Sequence, residues 1–246
     1  MLNIDHLSKK VHDFQLRDIC LDVDDGEYVF LLGPSGAGKT MLFDIIAGII
    51  RPDEGKIILD SNDITHFHIQ NRQIGIVFQE DTVFPHLSVY QNIAYSLKSS
   101  CTKRSEIRNT VFQLAAEMSI EKLLYRKPGT LSGGEKQRVA IARALAHNPK
   151  CLLFDEPLTF LDVELREEII SLLRDINNKG LTILHITHDP LEAFSLAGKI
   201  AVIVNGEIVQ FDTSENIYNS PKSTFIKNFT EKIRNQKNSL PGWMKQ

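Results

Sequence analysis

Apolar residues recur along this chain at two spacings, and each spacing predicts a different element. Alternating apolar and polar positions predict strands over Leu2–Leu7 and Phe14–Val23. Two short continuous apolar runs, Glu27–Leu32 and Cys151–Asp155, predict strands that are buried on both faces. Helical spacing predicts a helix over Lys39–Ile50. The first buried strand is therefore followed by a loop and then by a helix.

The middle of the chain changes to helical spacing, which predicts a subdomain inserted into a sheet domain. Between Ser88 and about Lys127 the apolar positions fit helices, including Tyr90–Leu97 and Ile107–Met118. A further helix is predicted from Gly134 to His147, where Asn148-Pro149 ends it. We expect this helical subdomain at about residues 88–148 of a domain that covers residues 1–235. The polar residues 236–246 are predicted to form a frayed tail.

The later part of the chain returns to alternating strands and helices. Strands are predicted at Thr182–Thr187 and on either side of Asn205-Gly206, a dipeptide typical of a hairpin turn. Helices are predicted at Glu164–Asn178 and Pro190–Leu196. Alternation of this kind is typical of an α/β fold with a largely parallel sheet.

Composition and charge restrict the class of protein. The 246 residues fit one large domain with a subdomain, and a net charge of −3 gives no reason to expect a nucleic-acid partner. The three scattered cysteines argue against a disulfide framework. There is no apolar run of the ~20 residues that span a bilayer, and the first residues lack a signal-peptide pattern. We therefore expect a cytoplasmic protein that reaches a membrane only through a partner.

A phosphate-binding pattern, G-x-x-x-x-G-K-[ST], lies between the first buried strand and its helix. Its glycines let backbone N–H groups turn inward around phosphate oxygens, and the following helix points its positive end at the same anion. The lysine adds a charge at the β- and γ-phosphates, and the threonine hydroxyl is suited to Mg²⁺. A turn that merely fits the pattern is the alternative, which the flanking strand and helix disfavour. The predicted nucleotide-binding residues are Gly33, Pro34, Ser35, Gly36, Ala37, Gly38, Lys39 and Thr40.

Two acidic residues end the second buried strand. Asp155, at the strand end, is suited to hold Mg²⁺ through water, and the adjacent Glu156 is suited to orient and polarise an attacking water as a general base. An exposed acidic strand end without function is the alternative. The pair predicts hydrolysis of the bound nucleotide.

A third motif, Leu131-Ser132-Gly133-Gly134-Glu135-Lys136-Gln137, precedes this strand. Ser132 can cap the following helix while Gly133 and Gly134 expose N–H groups at its amino end, which would make a second anion site. In this order and spacing, the motifs resemble those of the ATP-binding-cassette (ABC) ATPases, and the resemblance extends from Met1 to about Phe229. It implies an α/β P-loop NTPase fold of the ATP-binding-cassette type, with an N-terminal antiparallel β subdomain and an inserted α-helical subdomain.

The resemblance also implies roles for residues that no local pattern would single out. Gln79 stands at the place of the Q-loop glutamine, Asp162 at that of the D-loop aspartate and His188 at that of the switch histidine. The family's Ser132-Gly133-Gly134 site grips the γ-phosphate held by the other subunit. The implied roles are catalytic for Glu156, His188 and Gln79, metal-binding for Thr40, Gln79 and Asp155, and cofactor-binding for Ser132, Gly133, Gly134 and Asp162. The implied cofactors are ATP and Mg²⁺.

The chain departs from the family pattern at two places. Phe160 stands where the D-loop usually has a small residue, and Val11 stands where an aromatic residue usually stacks on adenine, with His12 and Phe14 nearby. The remaining histidines receive ordinary interpretations: His66 and His68 are expected in an exposed loop and His185 in the core.

The spacing of the motifs indicates which kind of ABC protein this is. About fifty residues separate Gln79 from the Leu131–Gln137 motif, which implies a compact helical subdomain. The stretch Phe84–Ile93 resembles importer subunits that serve molybdate, tungstate, sulfate, polyamine, iron and sugar uptake, and Phe84–Tyr95 most resembles the molybdate and tungstate subunits. The implied assembly is a head-to-tail homodimer on the cytoplasmic face of the membrane, bound to permease subunits and served indirectly by a solute-binding protein.

This interpretation leaves alternatives open. A soluble ABC ATPase without transport, acting in regulation or assembly, is the alternative from another class, and polyamine, iron or sulfate are the alternative substrates. Phe84, Pro85, His86 and Leu87 are expected to face the permease, with core packing as the alternative for Phe84. Because the chain ends soon after Phe229, we expect no C-terminal regulatory domain and no effect of the transported substrate on the isolated subunit.

Overall fold

The computed structural model describes residues 1–79, 83–100, 102–159, 161–196 and 198–235. Phe160 and the predicted tail at residues 236–246 lie outside the described residues. The chain divides into two compact units: Met1–Arg72 together with the chain from Asn177 onward, and Gln73–Ile176. We call these the first unit and the second unit.

The chain forms ten strands and eight α-helices within the described residues. The strands are β1 Leu2–Val11, β2 Phe14–Val23, β3 Tyr28–Leu32, β4 Glu54–Leu59, β5 Asn62–Asp63, β6 Ile74–Val77, β7 Cys151–Asp155, β8 Thr182–Thr187, β9 Lys199–Val204 and β10 Glu207–Thr213. The helices are α1 Lys39–Ala47, α2 Val89–Ile93, α3 Arg104–Glu117, α4 Gly133–Leu145, α5 Val163–Asn178, α6 Pro190–Leu196, α7 Ser214–Asn219 and α8 Thr224–Asn235. Among the described residues, none of these helices is both long and apolar enough to cross a bilayer.

The first unit contains the predicted antiparallel β subdomain, in the strand order β2-β1-β4-β5. Strand β1 continues to Val11, four residues beyond its predicted end, because it stays paired with β2 as far as the contact of Val11 with Phe14. A second group of strands holds β3 between β8 and β9 in parallel, with β10 antiparallel on β9. All five residues of β3 are buried, as their continuous apolar run predicts.

Helix α1 ends at Ala47, three residues before its predicted end, since the next residue is Gly48 with φ of 86°. The side chain of Arg72 stabilises this end of the helix by hydrogen bonds. It is 1% exposed, and its guanidinium donates to the carbonyl oxygens of Ile45 at 2.6 Å and Ile46 at 2.8 Å. These are among the last carbonyls of the helix, and that of Ile45 also accepts from the N–H of Gly48 at 3.1 Å. Burial lowers the pKa of Arg72 from its ordinary value, yet arginine stays protonated in proteins.

The second unit combines the parallel pair β6 and β7 with helices α2, α3 and α4. The register places Val77 opposite Phe154, so both strands end at the same edge. The sequence predicts one helix from Tyr90 to Leu97, but the chain forms only the short α2 and then a 3₁₀ turn over Ser96–Ser100. Parallel strands, helices and an antiparallel sheet are all present, so the predicted α/β class with an antiparallel β subdomain is confirmed.

Candidate functional site

The loop Gly33–Thr40 lies in the first unit, between the end of β3 and the start of α1. The N-cap residue of α1 is Gly38, in the left-handed region at φ of 103°. Glycine has no side chain with which to bond the first N–H groups of the helix, so these groups face the loop rather than a cap. This is the arrangement that binds an anion at a helix N-terminus.

Two of the loop glycines are required by close neighbours. A Cβ at Gly33 would lie 2.2 Å from the carbonyl oxygen of Ile203 in β9, and a Cβ at Gly38 would lie 2.6 Å from Leu16 Cδ2 and 2.8 Å from Phe14 Cζ. A Cβ at Gly36 would meet nothing within 4 Å, so the tip of the loop is open. The loop is thus fixed at its two ends and open at its tip.

Lys39 supplies a positive charge inside the loop. Its Nζ donates to the carbonyl oxygens of Gly33 at 2.8 Å and Pro34 at 3.0 Å, and the residue is only 8% exposed. A buried ammonium group carries a positive charge that favours a nearby anion. The loop therefore fits a phosphate group. The hydroxyl of Thr40, at the exposed start of α1, is an oxygen donor of the type that Mg²⁺ prefers.

Glu156 is the centre of the predicted hydrolytic group in the second unit. It follows the end of β7 and has a φ of 46°, which is uncommon for a residue with a side chain and clusters at functional sites. Gln79 Nε2 donates to Glu156 Oε2 at 3.4 Å, and Thr159 Oγ1 donates to the same oxygen at 3.2 Å. Gln79 and Glu156, both predicted from the sequence, are therefore in contact. Thr159, the second donor to Glu156, was not predicted. Asp155 is half-buried at the strand end and offers a carboxylate to a hard cation.

The motif Leu131–Gln137 starts α4 with a complete capping box. Ser132 Oγ accepts from the N–H of Glu135 at 3.2 Å, and Glu135 Oε2 accepts from the N–H of Ser132 at 2.7 Å. The capping role predicted for Ser132 is present, and Glu135, which the sequence analysis did not single out, completes it. This carboxylate places a negative charge at the amino end of the helix. Gly133 and Gly134 follow the cap directly, and their contact with a phosphate stays a prediction.

The two remaining predicted residues stand at helix starts. Asp162 is exposed and its Oδ1 accepts from the N–H of Leu165 at 2.9 Å, at the start of α5. His188 is exposed in the short link from β8 to α6. Asp162 belongs to the second unit and His188 to the first.

The structure shows which residues surround the position where an aromatic residue was expected to stack on adenine. Val11 and His12 end the first strand and begin the turn, and His12 is exposed with φ of 52°. The ring of Phe14 packs close to Gly38 of the phosphate loop. The aromatic side chain in this hairpin that lies beside the loop is therefore Phe14.

One buried polar cluster could not be found from the motifs. His185, expected in the core, is fully buried, and its ring contacts the hydroxyl of Tyr28 at 2.9 Å and a carboxylate oxygen of Glu192 at 2.9 Å. The one signal in the sequence is a histidine in the otherwise apolar run Ile183–Ile186.

Comparison with known proteins adds a family to this geometry. The family model described as ABC transporter matches residues 16–159. The chain is 44% identical over 230 residues to the molybdate/tungstate import ATP-binding protein of Pyrococcus abyssi, with 93% of this chain and 67% of that protein covered. It is 41% identical to the spermidine/putrescine import ATP-binding protein of Protochlamydia amoebophila, with 98% and 64% covered.

A third relative, the sulfate/thiosulfate import ATP-binding protein of Synechocystis, is 44% identical, with 94% of this chain and 65% of that protein covered. The chain thus spans about two thirds of the length of these relatives. Among solved structures, the ADP conformation of an ABC transporter cassette matches with a TM-score of 0.81 at 25% identity, covering 93% of this chain and 98% of that one. A dimeric cassette bound to ADP and phosphate matches with a TM-score of 0.76 at 31% identity, covering 87% and 99%.

Proposed function

This chain belongs to the ABC transporter family of ATP-binding ATPases, and on that premise we propose that it is the ATP-hydrolysing subunit of an importer. Two copies close head to tail around two ATP·Mg²⁺ and drive a membrane permease on whose cytoplasmic face they are bound. The names of the relatives support import, since each of the three is an import ATP-binding protein. The dimeric cassette that shares this fold supports the paired arrangement.

We assign hydrolysis to Glu156. The observation that carries this assignment is the position of its carboxylate, at the end of β7 and within hydrogen-bond range of Gln79 and Thr159. A general base must be oriented before it can polarise a water, and two donors on one carboxylate oxygen restrict the carboxylate's rotation. Gln79 then positions the base and would serve as a ligand of Mg²⁺, and His188 would contact the γ-phosphate.

The assignment is tested with Glu156→Gln, which keeps the shape of the side chain and removes its basicity. We expect ATP binding within about twofold of the unchanged protein and a single-turnover hydrolysis rate lowered by about 10²–10⁴-fold. Glu167→Gln, at an exposed position of α5, is the matched control and should hydrolyse normally. Near-normal hydrolysis by Glu156→Gln would show that another group is the base.

We assign Mg²⁺ to the oxygen donors of Thr40, Asp155 and Gln79. Hydroxyl, carboxylate and amide oxygens form the donor set that this small cation prefers, and the cation would neutralise charge on the phosphates. The remaining cofactor contacts are assigned across the dimer. Ser132, Gly133, Gly134 and Asp162 of one copy would close over the nucleotide held by the phosphate loop of the other.

A short segment of the second unit is suited to bind the permease. We define the docking segment as Phe84–Leu87, which includes the exposed residues Pro85 and His86. Asn92, fully buried, holds it in shape: its side-chain Nδ2 donates to the carbonyl oxygens of Phe84 at 3.2 Å and Leu87 at 3.3 Å, and its Oδ1 accepts from the N–H of Phe84 at 2.7 Å. The segment is therefore already ordered before a partner arrives, which lowers the entropic cost of binding.

The ring of Phe84 lies between two side chains. Tyr95, 54% exposed, stands 4.6 Å away between ring centroids, and the guanidinium carbon of Arg143 stands 4.7 Å from the ring centroid. Phe84 is half-buried, so it serves both as packing for the segment and as part of its surface. Together with Pro85 and Leu87 it offers an apolar surface to a short amphipathic helix.

Docking is tested in cells that carry the permease. His86→Glu places a charge on the exposed segment, and it should leave ATP hydrolysis by the free subunit unchanged while reducing uptake strongly. His66→Glu, at an exposed histidine of the first unit, is the matched control for the added charge. Normal uptake by His86→Glu at normal protein levels would place the permease contact elsewhere.

We propose molybdate or tungstate as the substrate. The resemblance of Phe84–Tyr95 to those subunits and the relative from Pyrococcus abyssi support this choice, while relatives for spermidine/putrescine and sulfate/thiosulfate at similar identity keep polyamine and sulfate as alternatives. Uptake of each compound is measured in a strain that lacks this chain and in the same strain after its return. Restored molybdate or tungstate uptake supports the proposal. Restored uptake of spermidine or sulfate reassigns the substrate, and no restored uptake with intact ATPase activity favours a soluble ATPase without transport.

A further inference from the structure

A chain of polar contacts leads from the core of the first unit toward the link that carries His188. The Tyr28 hydroxyl lies 2.9 Å from His185 Nδ1, and His185 Nε2 lies 2.9 Å from Glu192 Oε1. The other carboxylate oxygen, Glu192 Oε2, accepts from the hydroxyl of Thr187 at 2.9 Å. Strand β3, strand β8 and helix α6 each supply a member of this chain.

The far end of the chain is attached to the backbone next to His188. Thr187 Oγ1 accepts from the N–H of Asp189 at 3.0 Å. The Asp189 side chain in turn accepts from the N–H of Leu191 at 2.9 Å, which fixes the start of α6. The residues before and after His188 are therefore both held by hydrogen bonds, while His188 itself is exposed between them.

Burial makes these contacts energetically important. His185 is 0% exposed, Thr187 2%, Tyr28 4% and Glu192 6%. A buried polar group that loses its partner costs about 1–3 kcal/mol, and a buried carboxylate costs more. Each of these side chains therefore depends on the polar groups beside it. An apolar residue at position 185 would avoid the cost of burying a polar ring in the hydrophobic strand β8. We therefore expect the histidine to have a role other than stability.

The imidazole ring is also held on its face. In the parallel pairing of β3 with β8, Phe30 stands opposite His185, and the two rings stack with centroids 4.4 Å apart. Stacking fixes the plane of the ring, and the contacts at both nitrogens fix its rotation in that plane. The ring is thus a rigid connector between Tyr28 and Glu192.

The polar groups restrict where the protons of this chain lie. An ionised carboxylate only accepts, so Glu192 takes the Thr187 O–H at one oxygen and faces His185 Nε2 at 2.9 Å with the other. With the imidazole proton on Nε2, His185 Nδ1 has a lone pair for the Tyr28 O–H. Thr187 Oγ1, having donated its proton, keeps lone pairs for the Asp189 N–H.

We propose that His185, acting through Glu192 and Thr187, is the positioning residue that sets the backbone around His188 for contact with the γ-phosphate. The proposal rests on the assigned role of His188. It adds to that role a buried relay in which a change at His185 alters the geometry at Asp189, two hydrogen bonds beyond Glu192. His185 contacts neither nucleotide nor water in this account.

The test compares two substitutions at His185. His185→Gln keeps a donor toward Glu192 and an acceptor toward Tyr28, whereas His185→Met keeps a similar volume and removes both. We expect single-turnover ATP hydrolysis to fall about tenfold in His185→Met, the effect of one buried hydrogen bond, and to return to within about threefold in His185→Gln. The ATP dissociation constant should stay within about twofold in both. Leu184→Ala, a buried change on the other face of β8, controls for lost stability.

A second measurement does not depend on ATP hydrolysis. Nitrogen-15 NMR of the free protein should show a proton on His185 Nε2, which faces Glu192, and amide hydrogen exchange at Asp189 should be faster in His185→Met but not in His185→Gln or Leu184→Ala. Another tautomer, or unchanged exchange in His185→Met, would overturn the proposal.

The two failures remain distinguishable. Faster exchange at Asp189 with unchanged hydrolysis, in a protein that His188→Ala inactivates, would overturn the positioning role of His185 alone. Normal hydrolysis by His188→Ala would overturn the assigned role of His188, and with it the catalytic part of the relay.

Discussion

Helices α1 and α4 both have glycines at their amino ends, yet their first turns are satisfied in different ways. At α1 the N-cap is the left-handed Gly38, and the charge nearby is the positive Nζ of Lys39. At α4 the N-cap is Ser132, and the charge nearby is the negative carboxylate of Glu135, which already accepts a backbone N–H. The first helix start is prepared for an anion, and the second is already capped by its own side chains.

This difference separates two steps that the motifs alone would treat alike. A phosphate at α1 gains the uncapped N–H groups and the lysine charge in one subunit. A phosphate at α4 must approach a helix end whose dipole the Glu135 carboxylate has partly neutralised. We infer that the α1 start binds ATP in the single subunit, and that the α4 start contributes only once ATP is already held by the other copy.

The two helices also differ in where they are stabilised. Helix α4 has its capping box at the amino end, whereas α1 is pinned at its carboxyl end by Arg72. Positive charge is favourable at that end of a helix, so Arg72 stabilises α1 without occupying the end that faces the ligand. The hydrogen bonds of Arg72 therefore lie at the opposite end of α1 from the phosphate loop.

The largest expected effect is the loss of stability when Arg72, which stabilises α1, is replaced. Arg72→Met removes the guanidinium that donates to the carbonyl oxygens of Thr65, Ile45 and Ile46, of which Ile45 keeps the N–H of Gly48, and it should lower the free energy of unfolding by about 3 kcal/mol or more. Chemical denaturation measures this. Arg72→Lys keeps the charge but not the planar fork, so it should fall between the two proteins. Equal stability of Arg72→Met and the unchanged protein would contradict the account of α1.

The next effect separates the two helix starts directly. Lys39→Ala should weaken ATP binding by the isolated subunit about 10- to 100-fold, because a charge-assisted contact of about 1.5–3 kcal/mol is lost. Ser132→Ala should change the same affinity by less than about twofold. Both are measured by calorimetry at a protein concentration where the subunit is monomeric. Equal losses in the two variants would show that both helix starts bind ATP in one subunit.

The smallest effects concern the capping box itself. Ser132→Ala should lower the free energy of unfolding by about 1 kcal/mol, the usual cost of losing an N-cap. Glu135→Gln keeps an oxygen that accepts the Ser132 N–H and removes the negative charge, so stability should change less and ATP-dependent dimerisation should become a few-fold tighter. Sedimentation with the hydrolysis-deficient Glu156→Gln background measures the dimer. Weaker dimerisation of Glu135→Gln would contradict the electrostatic part of the comparison.

Local patterns in the sequence were sufficient for much of the fold and for the motifs. The phosphate loop was predictable because its glycines, lysine and threonine stand next to one another in the chain, between a strand and a helix whose spacing is plain. The buried strands were predictable from continuous apolar runs. The end of α1 was missed by three residues, because Ile49 and Ile50 extend the apolar spacing past the left-handed Gly48.

Contacts between distant residues were not predictable in this way. Arg72 bonds carbonyls 26 and 27 residues earlier, and Tyr28 meets His185 across 157 residues. An arginine or a histidine in a single sequence gives no sign of such a partner. The capping box at α4 shows the intermediate case: Ser132 was recognised, but Glu135 was seen as part of a motif rather than as the second half of the cap. The predicted length of the helix at Tyr90–Leu97 was wrong, because the apolar spacing continues past the short α2 into a 3₁₀ turn.

The central claim is that each ATP site combines the phosphate loop of one subunit with the Ser132 motif of the other. The most direct measurement mixes two variants, Lys39→Ala and Ser132→Arg, each of which is defective at both sites as a homodimer. A mixed dimer has one site with both defects and one with neither, so ATPase activity should rise on mixing, to at most about a quarter of the unchanged protein's in an equal mixture. An activity that does not rise, while native mass spectrometry shows mixed dimers, would contradict the claim.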